Sequence, residues 1–299
     1  MDEFLNGKGF LITAGAMALA VIIALAGATG AAAPYETWQG LFFTIEAQSL
    51  PSWLPPVLSI LSLGGTAALL ILLNRRFNFI RAVTFMFAAV YLLLCAASLW
   101  LQSEFNIGVV LTLVLSALMF IIFREYQNSE HAQRSIFMAF AVVGLCGLFH
   151  YAALFLIPIV FIGFVQVQAM SVKGAVAALL GLTTPVWLAV GLGFVNPIYS
   201  FNAPDLKILW HSADFAHLQL PIIVAAITAL VTIVVTTLNL MTVLNYRLQT
   251  RMYNAFIVIV AMIAVIAMAV DFTHILTYLP TLNMCLAIQI AHRATLNRR

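Results

Sequence analysis

Ten stretches of the chain read as continuous apolar runs, at 10–33, 57–74, 82–101, 107–123, 135–149, 152–167, 174–195, 219–244, 254–270 and 277–292. A helix needs about 20 mainly apolar residues to cross the hydrocarbon of a bilayer. The runs are unbroken rather than alternating, so they predict helices and exclude a barrel of strands. Those at 135–149, 152–167 and 277–292 are short, which predicts helices sheltered by their neighbours or a locally thinned bilayer. The fold class expected is all-α: a polytopic membrane helix bundle of about ten transmembrane helices, forming a single transmembrane domain over 1–299.

The polar positions between the runs set the orientation. With the N-terminus inside, twelve of the thirteen basic residues fall on the cytoplasmic side, among them Arg75, Arg76, Arg81, Arg124, Lys173 and Arg251; Lys207 lies outside. Cytoplasmic loops retain Lys and Arg in this way, so both termini are expected in the cytoplasm. Ala31-Ala32-Ala33 before Pro34 resembles a signal-peptidase site. The segment from Met1 to Lys8 is acidic, however, and the first run is longer than a signal core, so it is read as a span.

Composition narrows the function. Of the 299 residues 64% are apolar and 8% charged, with a mean hydropathy of +1.09. A soluble domain carries roughly a quarter of charged residues, so a soluble enzyme, a disordered chain and a nucleic-acid binder are excluded. Cys95, Cys146 and Cys285 lie within runs, without metal-site spacing, and are read as packing residues. No nucleotide-binding loop, nucleophile elbow or metalloprotease motif is present. No run carries Asp, Glu, Lys or Arg at its middle, which counts against an ion-coupled transporter.

The candidate chemistry collects at the outer face. The loop 34–56 contains Glu36 and Glu46, and a short interfacial helix is expected from Glu36 to Gln48, with Trp38, Phe42, Phe43 and Trp53 at headgroup depth. The loop 196–218 contains Lys207, His211, Asp214 and His217, around a second interfacial helix. His150 occupies the tight link between two short runs, where an ionisable group is costly. In Asp271-Phe-Thr-His274 a carboxylate is spaced to orient an imidazole. Carboxylates and imidazoles are what acid–base chemistry requires. No cofactor is evident, and a divalent metal at the outer face remains open. Within the membrane, Thr228, Thr232, Thr236 and Asn239 form one stripe, read as interhelical hydrogen bonding with a polar substrate path as the alternative. Thr183-Thr184-Pro185 is expected to kink the seventh span.

Arg124-Glu125-Tyr126-Gln127, then Gly144-Leu145-Cys146-Gly147-Leu148-Phe149-His150-Tyr151 and Gly181-Leu182-Thr183-Thr184-Pro185-Val186-Trp187, resemble an uncharacterised family of multi-pass inner-membrane proteins from the Bacteroidota. The turn Asn78-Phe79-Ile80-Arg81 belongs to the same resemblance, which implies a bacterial inner membrane. The layout of one span, an acidic outer loop and then short alternating spans is similar to glycosyltransferases that use polyprenyl-phosphate sugars (the GT-C type). That likeness implies that Glu36 or Glu46 is the catalytic base. The paired acids of that type are missing here, and Lys207 with His150, His211 and His217 would neutralise the donor phosphate.

Three functions are compatible with these residues. One is the handling of a lipid-linked envelope substrate at the outer face, by a glycosyltransferase-like enzyme or its inactive relative, with Glu36, Glu46 and His150 catalytic. In this reading Lys207, His211, Asp214, His217, Asp271 and His274 bind substrate. The second is a non-catalytic membrane subunit that docks with a membrane protein partner of an envelope assembly. The third is a small-substrate transporter. Membrane lipids are partners in each, and nucleic acid in none.

Overall fold

A computed structural model describes residues 11–12, 14–19, 22, 37–46, 51, 53–77, 85–99, 106–196, 200–202, 219–243 and 248–296. The chain is helical at 11–12, 14–19 and 22. A hairpin follows, β1 (Thr37–Gln39) and β2 (Thr44–Glu46), and then α1 (Leu54–Phe77), α2 (Met86–Leu99), α3 (Ile107–Arg124) and α4 (Gln133–Phe149). A 3-10 turn at Tyr151–Phe155 leads into α5 (Leu156–Gln166) and α6 (Val172–Gly191). The chain ends in α7 (Gln219–Val243), α8 (Leu248–Val270), a 3-10 turn at Phe272–His274 and α9 (Ile275–Leu296).

Among the described residues, six helices are long and apolar enough to span a membrane: Val57–Phe77, Ile107–Arg124, Val172–Gly191, Leu220–Leu240, Leu248–Val270 and Ile275–Ala294. The chain is therefore a helical multi-pass membrane protein. The third, fifth and sixth apolar runs fall on shorter apolar helices, Met86–Ala97, Gln133–Phe149 and Tyr151–Gln166. The sequence pattern offers no internal boundary, yet backbone contacts divide the chain into two compact units. One comprises Met1–Ala33, Pro51–Ser116 and Lys207–Arg299; the other comprises Pro34–Leu50 and Ala117–Leu206.

The first unit is organised around α9, which packs against α2, α7 and α8. Of the six long apolar helices α9 has the lowest hydropathy, and 89% of its apolar window is buried, against 28% for α6 and for α7. Thr277, Thr281, Asn283, Gln289 and His292 are all buried. Polar side chains facing lipid would forfeit hydrogen bonds at a cost of several kcal/mol each, so the most polar helix takes the centre. Pro280 lies inside α9. A proline within a helix leaves the carbonyl four residues back without its N–H donor. That carbonyl, Leu276 O, accepts a hydrogen bond from Asn106 Nδ2 at 2.8 Å. Asn106 Oδ1 meanwhile accepts from the Gly108 N–H at 2.7 Å, capping the start of α3.

This joint requires close approach. Gly108 lies so near α9 that a Cβ there would overlap the Thr277 carbonyl. One turn further on, Thr112 and Thr281 share a hydrogen bond of 3.1 Å. Small residues at such a crossing let two backbones meet without water.

In the second unit α4 packs along α6. Pro185 is accommodated inside α6, where the hydroxyls of Thr183 and Thr184 donate to carbonyls of the preceding turn. Residues 37–46 form a hairpin in place of the expected interfacial helix. Thr37 pairs with Glu46, Trp38 with Ile45 and Gln39 with Thr44. The turn is closed by the Gly40 N–H donating to Phe43 O, and β-branched and aromatic residues favour the strands. Tertiary demand adds to this, because a helix end leaves carbonyls without donors. The Leu41 and Phe43 N–H groups donate to Gly147 O and Leu148 O at the end of α4, at 3.1 and 3.3 Å. A Cβ at Gly40 would overlap the Leu148 carbonyl, so a glycine is required there. Phe43 stacks on Phe149 at a centroid distance of 5.5 Å.

Replacing Gly108 with Ala should force α3 away from α9 and remove the Asn106–Leu276 bond. We expect a loss of about 1–3 kcal/mol, read as a lower unfolding temperature of the full chain in detergent.

Candidate functional site

The turn between α8 and α9 brings together two of the expected site residues. Asp271 follows directly on α8, its N–H donating to Ala267 O at 2.8 Å and its carbonyl accepting from the His274 N–H at 3.2 Å. The 3-10 turn at Phe272–His274 then brings the imidazole back over the carboxylate. His274 Nδ1 lies 2.8 Å from Asp271 Oδ1, and the Tyr278 hydroxyl donates to Asp271 Oδ2 at 2.8 Å. Both carboxylate oxygens are therefore engaged.

Asp271 is 1% exposed. The His274 side chain keeps 28% of its surface. A buried carboxylate that accepts Nδ1–H leaves Nε2 of a neutral imidazole as the basic nitrogen. The pair can thus take a proton from a hydroxyl, or, once protonated, present a positive charge to a phosphate. Tyr278 is absent from the candidates drawn from sequence. Its only signal there is its spacing, four residues beyond His274 and seven beyond Asp271, which matters once a helix is known to start at Ile275.

His150 belongs to the second unit and has a local role. It ends α4 in an extended conformation, its N–H bonds Cys146 O, and its Nδ1 accepts the Ala152 N–H at 3.1 Å. It is buried and stacked on Tyr151 at 5.3 Å. The imidazole caps the 3-10 turn in the way a polar side chain caps a helix. Glu46 closes β2 opposite Thr37, also in the second unit. Glu36, Lys207, His211, Asp214 and His217 lie outside the described residues. Among the described residues no group of three or more His, Cys, Asp or Glu is placed to hold a metal.

Two further polar clusters bring in residues that the sequence reading did not single out as site candidates. Toward the other end of α9, Asn239 on α7 donates through Nδ2 to both Gln289 O at 2.9 Å and Gln289 Oε1 at 2.7 Å. Gln289 Nε2 in turn donates to Asn254 Oδ1 on α8 at 3.1 Å. The interhelical role expected of the Thr228 to Asn239 stripe is thereby met at Asn239. Asn254 and Gln289 stand singly at the edges of apolar runs, so no spacing betrays them.

The other cluster surrounds Glu125, just after α3. Its Oε1 accepts from Arg124 Nε and Nη2 at 3.0 and 2.9 Å and from Ser135 Oγ at 2.7 Å; Oε2 accepts from Asn128 Nδ2 at 2.7 Å. Burial pushes the carboxyl up, but the bonds from Ser135, Arg124 and Asn128 and the guanidinium charge outweigh it. Glu125 is held below the ordinary carboxylate value.

No protein-family model matches this chain, and no curated protein or solved structure does either.

The lowered Glu125 value carries a pH dependence. Its stabilising contribution is complete above the ordinary carboxylate value of 4.5 and is lost as pH falls through the lower folded value. Wild type should lose unfolding temperature over that acid window, and Glu125→Gln should show a flatter profile there.

Proposed function

We propose that this protein crosses a bacterial inner membrane ten times with both termini cytoplasmic, and acts on a lipid-linked, phosphate-bearing envelope substrate at the outer face. The observation that carries the reading is the Asp271–His274 pair with Tyr278, a buried and fully engaged carboxylate behind a partly exposed imidazole. Oriented pairs of this kind do acid–base work. The turn that holds it joins two helices of membrane-spanning length, and the ends of such helices lie at headgroup depth.

The step follows the polyprenyl-phosphate glycosyltransferases to which the layout is similar. An acceptor hydroxyl loses its proton to His274 Nε2 while its oxygen bonds the anomeric carbon. The carbon–oxygen bond to the lipid phosphate breaks, and the phosphate leaves with the electron pair. Asp271 stabilises the imidazolium that results, and Tyr278 keeps Asp271 in place. Glu36 or Glu46 is the rival base that the glycosyltransferase likeness implies.

The test uses the full chain in proteoliposomes with a radiolabelled decaprenyl-phosphate hexose, following loss of label from the lipid. His274→Gln and Asp271→Asn should slow the wild-type rate by about 10²–10⁴-fold, and Tyr278→Phe by about tenfold or less. If Glu46→Gln is crippled while His274→Gln is not, the base is the glutamate and the role given to the pair fails. If wild type transfers nothing, the enzyme reading falls and a membrane subunit of an envelope assembly takes its place.

A further inference from the structure

The amide chain across α7, α9 and α8 ends in unused hydrogen-bonding capacity. Asn239 gives both its bonds through Nδ2, which fixes the amide orientation and leaves Oδ1 without a hydrogen-bond partner among the described residues. At the other end Asn254 accepts through Oδ1, and its Nδ2 has none either. Thr236 Oγ1, one turn before Asn239 on the same face of α7, is likewise without a partner. Asn239 is 0% exposed, Asn254 5% and Thr236 8%. These atoms sit inside a unit built of membrane-length helices, where each unsatisfied polar group costs several kcal/mol. Asn239 and Asn254 each spend one side-chain atom on Gln289, and the other atom of each, together with Thr236 Oγ1, calls for an occupant.

The chemistry left over selects its class. One end offers a carbonyl acceptor, the other an amide donor, and the threonine offers a hydroxyl able to do either. An anion is repelled by Asn239 Oδ1 and a cation by the Asn254 amide hydrogens. We propose that the Thr236, Asn239, Gln289 and Asn254 cluster is a binding site for a small neutral molecule carrying both donors and acceptors, an amide or a polyol. The polar atoms are sealed in the conformation described, so entry requires α7 to part from α9. α7 suits that movement because most of its apolar window is uncovered by protein. At this level it is held by the Asn239–Gln289 bonds and by Arg293 Nη1 donating to Leu238 O at 3.4 Å. This site is far along α9 from Asp271 and does not depend on the outer-face reading.

Thiol labelling tests it. Thr236→Cys in the full chain, reconstituted in proteoliposomes, is treated with a small methanethiosulfonate reagent, with wild type reporting the background from Cys95, Cys146 and Cys285. Asn254→Cys is a second reporter on α8, in case the first fails to fold. Acetamide is the probe, and the ions of the same shape, acetate and acetamidinium, are its controls at equal osmolarity. Labelling of the new thiol should proceed and be slowed by acetamide, about threefold at twice its dissociation constant, with the ions leaving the rate unchanged. A thiol that labels equally with and without acetamide means a site filled by water alone, and overturns the proposal. So does a thiol at both positions that never labels, or equal protection by the ions.

Discussion

The bilayer interior supplies no water to a polar group, and the arrangement of this chain follows from that constraint. Its consequence is clearest in α9, the helix least able to face lipid. Thr277, Thr281, Asn283, Gln289 and His292 lie along it, and every one is buried. The neighbours α2, α7 and α8 are more apolar and can turn their outer faces to hydrocarbon. The order of the first unit is thus a sorting of helices by polarity, with hydrogen bonds made where polar side chains meet. Thr112 meets Thr281, and Asn239 and Asn254 meet Gln289.

The same constraint turns a helix-breaking residue into a joint. Pro280 deprives Leu276 O of its donor, and an unpaired carbonyl at that depth has to be satisfied from elsewhere. Asn106 does so while capping α3 through its other side-chain atom. One asparagine therefore ties the beginnings of α3 and α9 together. Residue 276 lies between His274 and Tyr278, so the joint also steadies the backbone that presents the Asp271 pair.

His150 and His274 show how burial and hydrogen bonding divide one residue type between two tasks. Both follow the C-terminus of an apolar helix and precede a further helical segment. His150 is buried and spends Nδ1 on the backbone of Ala152, which consumes its acceptor in local structure. His274 directs Nδ1 at a carboxylate instead of at backbone and retains exposed side-chain surface. The tight Phe149-His150-Tyr151 link made His150 conspicuous in the sequence, yet tightness is also what makes it a cap.

The membrane class and the main helices were legible in the chain alone, because each helix must be apolar for its own length whatever surrounds it. The run at 107–123 became Ile107–Arg124 and that at 219–244 became Gln219–Val243, the bounds shifting by a residue or so. The spacing of Asp271 and His274 was also readable, since three residues suffice to bring them together in a tight turn. Tertiary structure decided the rest. Residues 37–46 are a hairpin because the N–H groups of Leu41 and Phe43 meet carbonyls at the end of α4, about a hundred residues away along the chain. Asn239, Gln289 and Asn254 form one amide chain because α7 and α8 both pack on α9. A single polar residue in an apolar run announces that it needs a partner, but its partner is chosen by which helix lies beside it.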